Sequence, residues 1–314
     1  MNYIKMSPLT GMVGYGGGGT GLTFNAGGAV SSTGKWYGDR GIQGGGAASA
    51  NDTVMDYFDI TSTSNASDFG DLDDDRSAPA SASDGTIGLF AGSDSTKQSI
   101  TKITTATLDS ASDFGDQTTS RGQHAGVCDG AYAVFGGGSS TTDTMDFCII
   151  ATGTGCSDFG NLTVGRHGLA GFNNATRGVF ARGNNGNVID YITIATASNA
   201  TTFGTSSQSE RGTAGCASSD NRGVFAGGMS NGSSMEYVEI NTTSNASSFG
   251  DLSQGRAWLG SCANASRGMW VGGWTGSASD RMDYVQISST QNASDFGNLV
   301  VGRHDTAALS GKAS

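Results

Sequence analysis

The chain has 314 residues, 52 of them glycine and only two proline, with 28 acidic against 17 basic residues and a formal net charge of −11. A chain of this length can bury a sizeable core as one closed all-β domain, and a composition rich in Gly, Ser, Thr and Asn asks for many short strands joined by tight turns. The acidic excess, with no basic run anywhere, excludes nucleic acid and anionic membrane surfaces as partners, because phosphate binding needs clustered Lys or Arg; no apolar stretch approaches the roughly 20 residues that span a bilayer.

Residues 1–37 differ in kind from the rest. They place Tyr3, Ile4, Met6 and Leu9 before a glycine tract, then Leu22-Thr23-Phe24 and Trp36-Tyr37. Such a composition argues against independent folding, and its aromatics argue against a plain linker. The expectation is an N-terminal arm that tethers the protein to a neighbouring subunit, with Tyr3, Ile4, Leu9, Phe24 and Trp36 as anchoring residues. The run Gly14–Gly19 fits GxGxxG by glycine content alone, with no strand before it and no helix after it, so no dinucleotide cofactor is expected. The N-terminus also lacks the charged-then-apolar layout of a secretory signal.

From residue 38 onward the sequence repeats. A Phe-Gly pair recurs at Phe69, Phe114, Phe159, Phe203, Phe249 and Phe296, at intervals of 45, 45, 44, 46 and 47 residues. Seven or eight positions later comes Arg76, Arg121, Arg166, Arg211, Arg256 or Arg303. Fourteen residues past each of the first five arginines stands Phe90, Phe135, Phe180, Phe225 or Trp270, opening segments such as Phe225-Ala226-Gly227-Gly228. An acid-aromatic pair follows at Asp56-Tyr57, Asp146-Phe147, Asp190-Tyr191, Glu236-Tyr237 and Asp283-Tyr284, with Ser99-Ile100 in that place in the second repeat. A period of about 45 residues holding four short apolar runs is the size of a four-stranded propeller blade. Runs such as Tyr191-Ile192-Thr193-Ile194 alternate with period two, which rejects helical repeats.

The chain ends test closure. Arg40–Gly46 reads as a second strand with no first strand before it, and Arg303–Ser310 matches first strands such as Arg166–Phe172. The surplus strand at the C-terminus therefore completes the first blade. The fold class read from this pattern is all-β: a six-bladed β-propeller over residues 38–314, closed by the C-terminal strand and carrying the glycine-rich arm. First strands built of small residues suit the crowded axis, and the repeated aromatics suit the wider gaps between blades.

The order of Gly-Gly, an aromatic beside an acid, and an aromatic followed by a hydrophobic spacer and Arg resembles the kelch repeat over residues 40–314. The phrasing of Ser64–Leu72 and Arg222–Gly228 also resembles repeats in structural proteins of tailed phages, particularly those infecting marine bacteria. That resemblance implies a virion location, with neighbouring virion proteins as partners of the arm.

The six arginines are read as structural partners of the acids at the Asp-Tyr position, with a ring-shaped anion site as the alternative. Asp71, Asp73, Asp74 and Asp75 match no EF-hand loop and read as a solvated acidic turn. Cys128, Cys216 and Cys262 fall at one repeat position and read as small buried hydrophobes; no disulfide framework and no metal site is expected from the five cysteines. Three His and three Glu do not assemble a nucleophile, base and orienting group, so no catalytic residues are assigned and the protein is read as a non-enzyme.

Function is expected in the variable segments Ala47–Met55, Asp94–Gln98, Asn184–Val188, Ser230–Met235 and Trp274–Met282, all on one face of the ring. Trp274, Asn184, Asn185, Asn187 and Asn231 are the binding candidates there. The reading is a virion tail or fibre component that is attached by its arm and displays a propeller toward a host surface protein or glycan. A decoration protein binding only neighbouring subunits and a cellular kelch-type interaction scaffold are the alternatives.

Overall fold

The computed structural model describes residues 38–47, 53–94, 97–217, 221–230 and 232–313. The arm, with its five anchoring candidates, and Asn231 lie outside the described residues, as does the side chain of Cys216. The described residues form six antiparallel sheets of four strands each and a single short 3-10 turn at Ser139–Thr141.

Blade one joins Arg40–Gly44, Val54–Asp59 and Ser67–Asp71 to the inner strand Ala307–Gly311. Blade two runs Ala80–Ser83, Ile87–Ser93, Lys97–Thr104 and Ser112–Asp116 from the axis outward. Blade three follows with Ala125–Cys128, Tyr132–Gly136, Thr144–Ile149 and Cys156–Asn161, and blade four with Ala170–Asn173, Arg177–Ala181, Val188–Thr193 and Thr201–Thr205. Blade five is Thr213–Ala217, Arg222–Gly227, Ser234–Glu239 and Ser247–Asp251; blade six is Gly260–Ala263, Arg267–Val271, Ser279–Gln286 and Ser294–Arg303. The C-terminal strand pairs Ala307 with Gly44 and Gly311 with Arg40, so closure occurs in the register the repeat demands. Each innermost strand is paired on one side only, and the closed ring turns its other, short edge toward the axis, where it is protected.

Packing follows the repeat. Ala308, Ser81, Gly126, Gly171, Gly215 and Ser261 take one register position on the six inner strands, where neighbouring backbones approach closely: a side chain at Gly126 would meet the Ser81 carbonyl oxygen at 2.2 Å. Opposite this position stand Phe90, Phe135, Phe180, Phe225 and Trp270, all fully buried between blades. Each ring stabilises the ring-to-ring packing by about 2–3 kcal/mol of apolar burial. Blade one has Gln43 there instead, buried and donating to the Gly45 carbonyl and the Thr306 hydroxyl. Phe69 and its five equivalents form the outer layer, each 2–3% exposed. In four blades the aromatic of the acid-aromatic pair lies under an arginine from the second strand, as with Arg177 4.3 Å from the Tyr191 ring centre.

The asparagines of the repeated outer turn bind across blades. Asn65, Asn199, Asn245 and Asn292 accept main-chain N–H bonds from Asn298, Asn161, Thr205 and Asp251 of the adjacent outer strand at 3.0–3.1 Å.

Three expectations are corrected by the register. In blade two the residue opposite Phe90 is Thr101, not Ser99, so the acid position is held by Thr101-Lys102. Cys148 and Cys156, which face each other on the third and outer strands of blade three, form a disulfide, against the expectation of none; Cys128 and Cys262 are buried as expected. The acidic turn is not simply solvated: Asp73 faces Arg76, and Asp74 and Asp75 grip Lys97 at 2.6 and 2.7 Å.

Candidate binding site at the axial mouth

The site begins with the arginine stations. Arg121, Arg166 and Arg256 are buried and reach the acids of their own blades: Arg121 to Asp146 at 2.8 Å, Arg166 to Asp190 at 2.9 Å and Arg256 to Asp283 at 3.0 Å. Thr118 and Thr163 donate N–H and O–H bonds to the same carboxylates of Asp146 and Asp190. Desolvation lowers the pKa of Arg121 and Arg256, and the paired carboxylates oppose it. In blade one Arg303 donates to the Val54 carbonyl at 2.8 Å beside Asp56, whose pKa burial raises against the pull of Arg303. In blade two Arg76 donates to Thr101 Oγ1 at 2.6 Å and to the Ser99 carbonyl at 2.7 Å, with Asp73 supplying the acid from the preceding turn.

Blade five breaks the pattern. The residue at its station is Glu210, whose carbonyl accepts from Gly183 N–H as Arg166 and Arg256 accept from Gly138 and Gly228. Arg211, expected to be buried, is one position further along and exposed. The guanidinium for Glu236 comes instead from Arg182 of blade four, at 2.6 Å and 0% exposed. Arg182 occupies a left-handed position (φ 60°) that Gly45, Gly92, Gly137, Gly227 and Gly272 hold in the other blades. Room for it exists because Ser206 and Thr213 replace the leucine pairs Leu162–Leu169 and Leu252–Leu259 of neighbouring blades. Arg182 Nε donates to Ser206 Oγ at 2.9 Å.

Two residues past each station the chain turns toward the axis. Asp305, Ala78, Gln123, Gly168, Gly212 and Trp258 form a closed circle of main-chain hydrogen bonds: the N–H of each following residue donates to the carbonyl of the one before, at 2.6–2.9 Å around the whole ring. All six have positive φ, between 53° and 74°. Four are not glycine, and a left-handed conformation costs a bulky side chain such as Trp258 on the order of 1–3 kcal/mol. All six residues of the circle line the axial channel.

The channel has a cavity volume of ≈ 180 Å³ and is lined mainly by the small residues of the inner strands. At its mouth the Trp258 indole lies across the two glycines of the circle: a side chain on Gly212 would meet it at 2.8 Å and one on Gly168 at 3.1 Å. Arg211 Cβ stands 3.0 Å from the same Gly168 point. His167 is beside it, and its pKa is lowered first by burial and then by Arg211. On the far side Asp305 binds His304 Nδ1 at 2.6 Å, and Trp274 packs edge-on against His304 with ring centres 4.7 Å apart. Burial raises the Asp305 pKa and the His304 contact opposes that rise.

Of the sequence candidates, Trp274 is on this face and 40% exposed, flanking with Met229 a second hollow of ≈ 300 Å³ between blades five and six. The three described asparagines are engaged within the loops: Asn184 Oδ1 accepts from His167 N–H at 2.9 Å, while Asn185 and Asn187 donate to the Gly165 and Ser206 carbonyls at 2.9 Å. Gln123, Trp258, His304 and Asp305 were not among the expected site residues, and Arg211 was read only with the other repeat arginines. One signal for Arg211 was present: its spacing of eight from Phe203, where the other five arginines follow at seven.

No known protein family matches the chain, and no curated protein sequence does. The described residues define a six-bladed propeller with an axial mouth on its loop face.

Proposed function

We propose that this protein is a non-enzymatic virion structural component of a tail or fibre. It is joined to neighbouring virion proteins through residues 1–37 and presents the loop face of a kelch-like propeller to a host surface protein or glycan. One observation carries the reading. The chain joins the ring at Arg40 and leaves it at Gly311, which are register partners on the face of the turns Asp84–Thr86 and Asp39–Arg40, opposite the mouth. Lys312 N–H donates to the Gly85 carbonyl and Arg40 to the Thr105 and Ala106 carbonyls on that same face. A tether there leaves Trp258, Trp274, His304 and Asp305 pointing away from the attachment. Exposed Trp beside carboxylate and amide groups suits recognition of a partner. The resemblance of the repeats to phage structural proteins supports the virion location.

Purified virions tested by mass spectrometry are expected to contain the chain. Antibodies raised against the Trp274–Met282 loop are expected to bind intact virions, and antibodies against residues 1–37 are not. The reverse labelling would replace display with a decoration role in which the loop face is covered by neighbouring subunits; absence from virions would leave a cellular scaffold.

A further inference from the structure

Three devices recur across the gaps between blades, and among the described residues only the gap between blades two and three has none of them. The first is an arginine that opens a second strand and donates to a carbonyl of the following blade: Arg40 to Thr105, Arg177 to Ile240, Arg222 to Ser288 and Arg267 to Ile60, at 2.7–3.0 Å. Blade two opens that strand with Ile87. The second is the outer-turn asparagine that bonds the preceding outer strand; in blade three Gly155 stands in its place. The third is the leucine pair, here replaced by Gln117 and His124, whose polar side-chain atoms have no hydrogen-bond partner among the described residues. A disulfide lies in this gap instead. Cys148 is buried in an apolar cluster with Leu89 and Phe114 of blade two and Phe135 and Ile150 of blade three, and Cys156 packs against that cluster. The other five blades have alanine where Cys156 stands. The cross-link ends the turn in which Gly155 presses main chain against blade two: a side chain on Gly115 would meet the Gly155 nitrogen at 2.6 Å.

We propose that the Cys148–Cys156 bond is a redox latch that keeps blade three closed on blade two, and that reducing it makes the ring open first at this gap. A dithiol supplies the two electrons. Its thiolate attacks Cys156 Sγ, the sulfur of the more exposed residue, and Cys148 leaves as a thiolate that takes up a proton. The second thiol of the reductant then displaces Cys156, and the reductant ends as a cyclic disulfide. A small disulfide reverses both steps by the same exchange. Once the cross-link is gone, the turn 149–155 regains chain freedom, and neither an asparagine nor an arginine bridges it to blade two. The inference goes beyond the display reading and stands without it, because it concerns the ring alone.

The test is amide hydrogen exchange of the full chain, read by mass spectrometry before and after treatment with dithiothreitol. Alkylation of the denatured protein should label two more of the five cysteines after reduction than before. Reduction is expected to speed exchange about 10- to 100-fold in Ser112–Asp116 and Cys156–Asn161, the outer strands on either side of the gap, the range for a short loop released from its cross-link. Exchange in Ser247–Asp251 and Ser294–Arg303, which flank the gap between blades five and six, should not change. The double variant Cys148→Ala, Cys156→Ala should exchange like the reduced protein whether or not dithiothreitol is present. Gln117→Leu with His124→Leu, which supplies the missing leucine pair, should slow exchange at the gap in the reduced protein. No gain of thiols on reduction, exchange unchanged by reduction, or a rise shared equally by all six blades overturns the proposal. If the cysteine variant does not fold, the wild-type protein before and after reduction decides by itself.

Discussion

Blades four and five solve one problem in two ways. In blade four, Arg166 and Asp190 belong to the same repeat, 24 residues apart, and the arginine also donates to the Phe180 carbonyl at 3.2 Å. In blade five the acid is Glu236 and its arginine comes from the preceding blade, 54 residues away, crossing the gap over the face of Phe225. Both arrangements neutralise a carboxylate that lies within 3% of full burial. A repeated ion pair is therefore a property of the gap between blades and not of the repeat that happens to donate it. With the charge supplied by the neighbour, Glu210 holds the station of blade five and Arg211 stands at the surface.

The largest expected effect marks the limit of this comparison. A chain ending at Val301 loses Arg303, Asp305 and the inner strand of blade one together, and it should show neither a cooperative thermal transition nor a monomeric gel-filtration peak. A truncated protein that melts with the full chain would mean that the blades are stable without closure. Next comes Arg182→Gly, which leaves Glu236 buried without its cation and is expected to cost about 3–5 kcal/mol in urea unfolding. A loss no larger than that of an exposed residue would show that the borrowed pair is not a true station.

A moderate gain is expected from a third pair of positions. Gln117 and His124 stand where other blades place leucines, and both crowd Gly92. Neither polar atom of the Gln117 amide has a hydrogen-bond partner among the described residues, and His124 has only the Gly122 main chain to turn to. The double substitution Gln117→Leu, His124→Leu should stabilise by about 1–3 kcal/mol, the cost of unsatisfied buried polar groups. The pH dependence has a definite sign. Burial first, and Arg121 second, hold the His124 pKa well below its usual value. Below pH of about 6.5 the unfolded chain takes up a proton that the folded one refuses, so stability falls as pH drops through that window. His124→Leu should flatten this part of the pH–stability curve, and an unchanged slope would locate the titrating group elsewhere. The smallest effect is that of Arg211→Ala, expected within about 0.5 kcal/mol of wild type by urea unfolding; a larger loss would return Arg211 to a structural role.

The ring architecture was legible because it is written in side chains that answer to simple geometry. Small residues such as Ala307–Gly311 mark the axis, and the aromatics from Phe90 to Trp270 mark the gaps. Blade two was misread by two residues because a shift of two keeps every side chain on its face, so Ser99 and Thr101 look alike in pattern. Arg211 was misread because matching by identity favours an arginine over the Glu210 beside it. The Cys148–Cys156 bond depends on which residues face each other across a bulged strand pair, and an odd cysteine count conceals that. The mouth was least visible, since nothing in Trp258 or Asp305 announces a left-handed backbone imposed by neighbours some 45 residues away.

The circle of six peptide bonds at the axis has a consequence for how such a surface changes over generations. Its aperture is set by main-chain groups alone, so the residues that point from it can be exchanged without altering its diameter. Four different side chains already occupy it alongside two glycines. The protein thus carries a frame of constant width with interchangeable teeth, and a new ligand preference could arise there by single substitutions while the frame stays as it is.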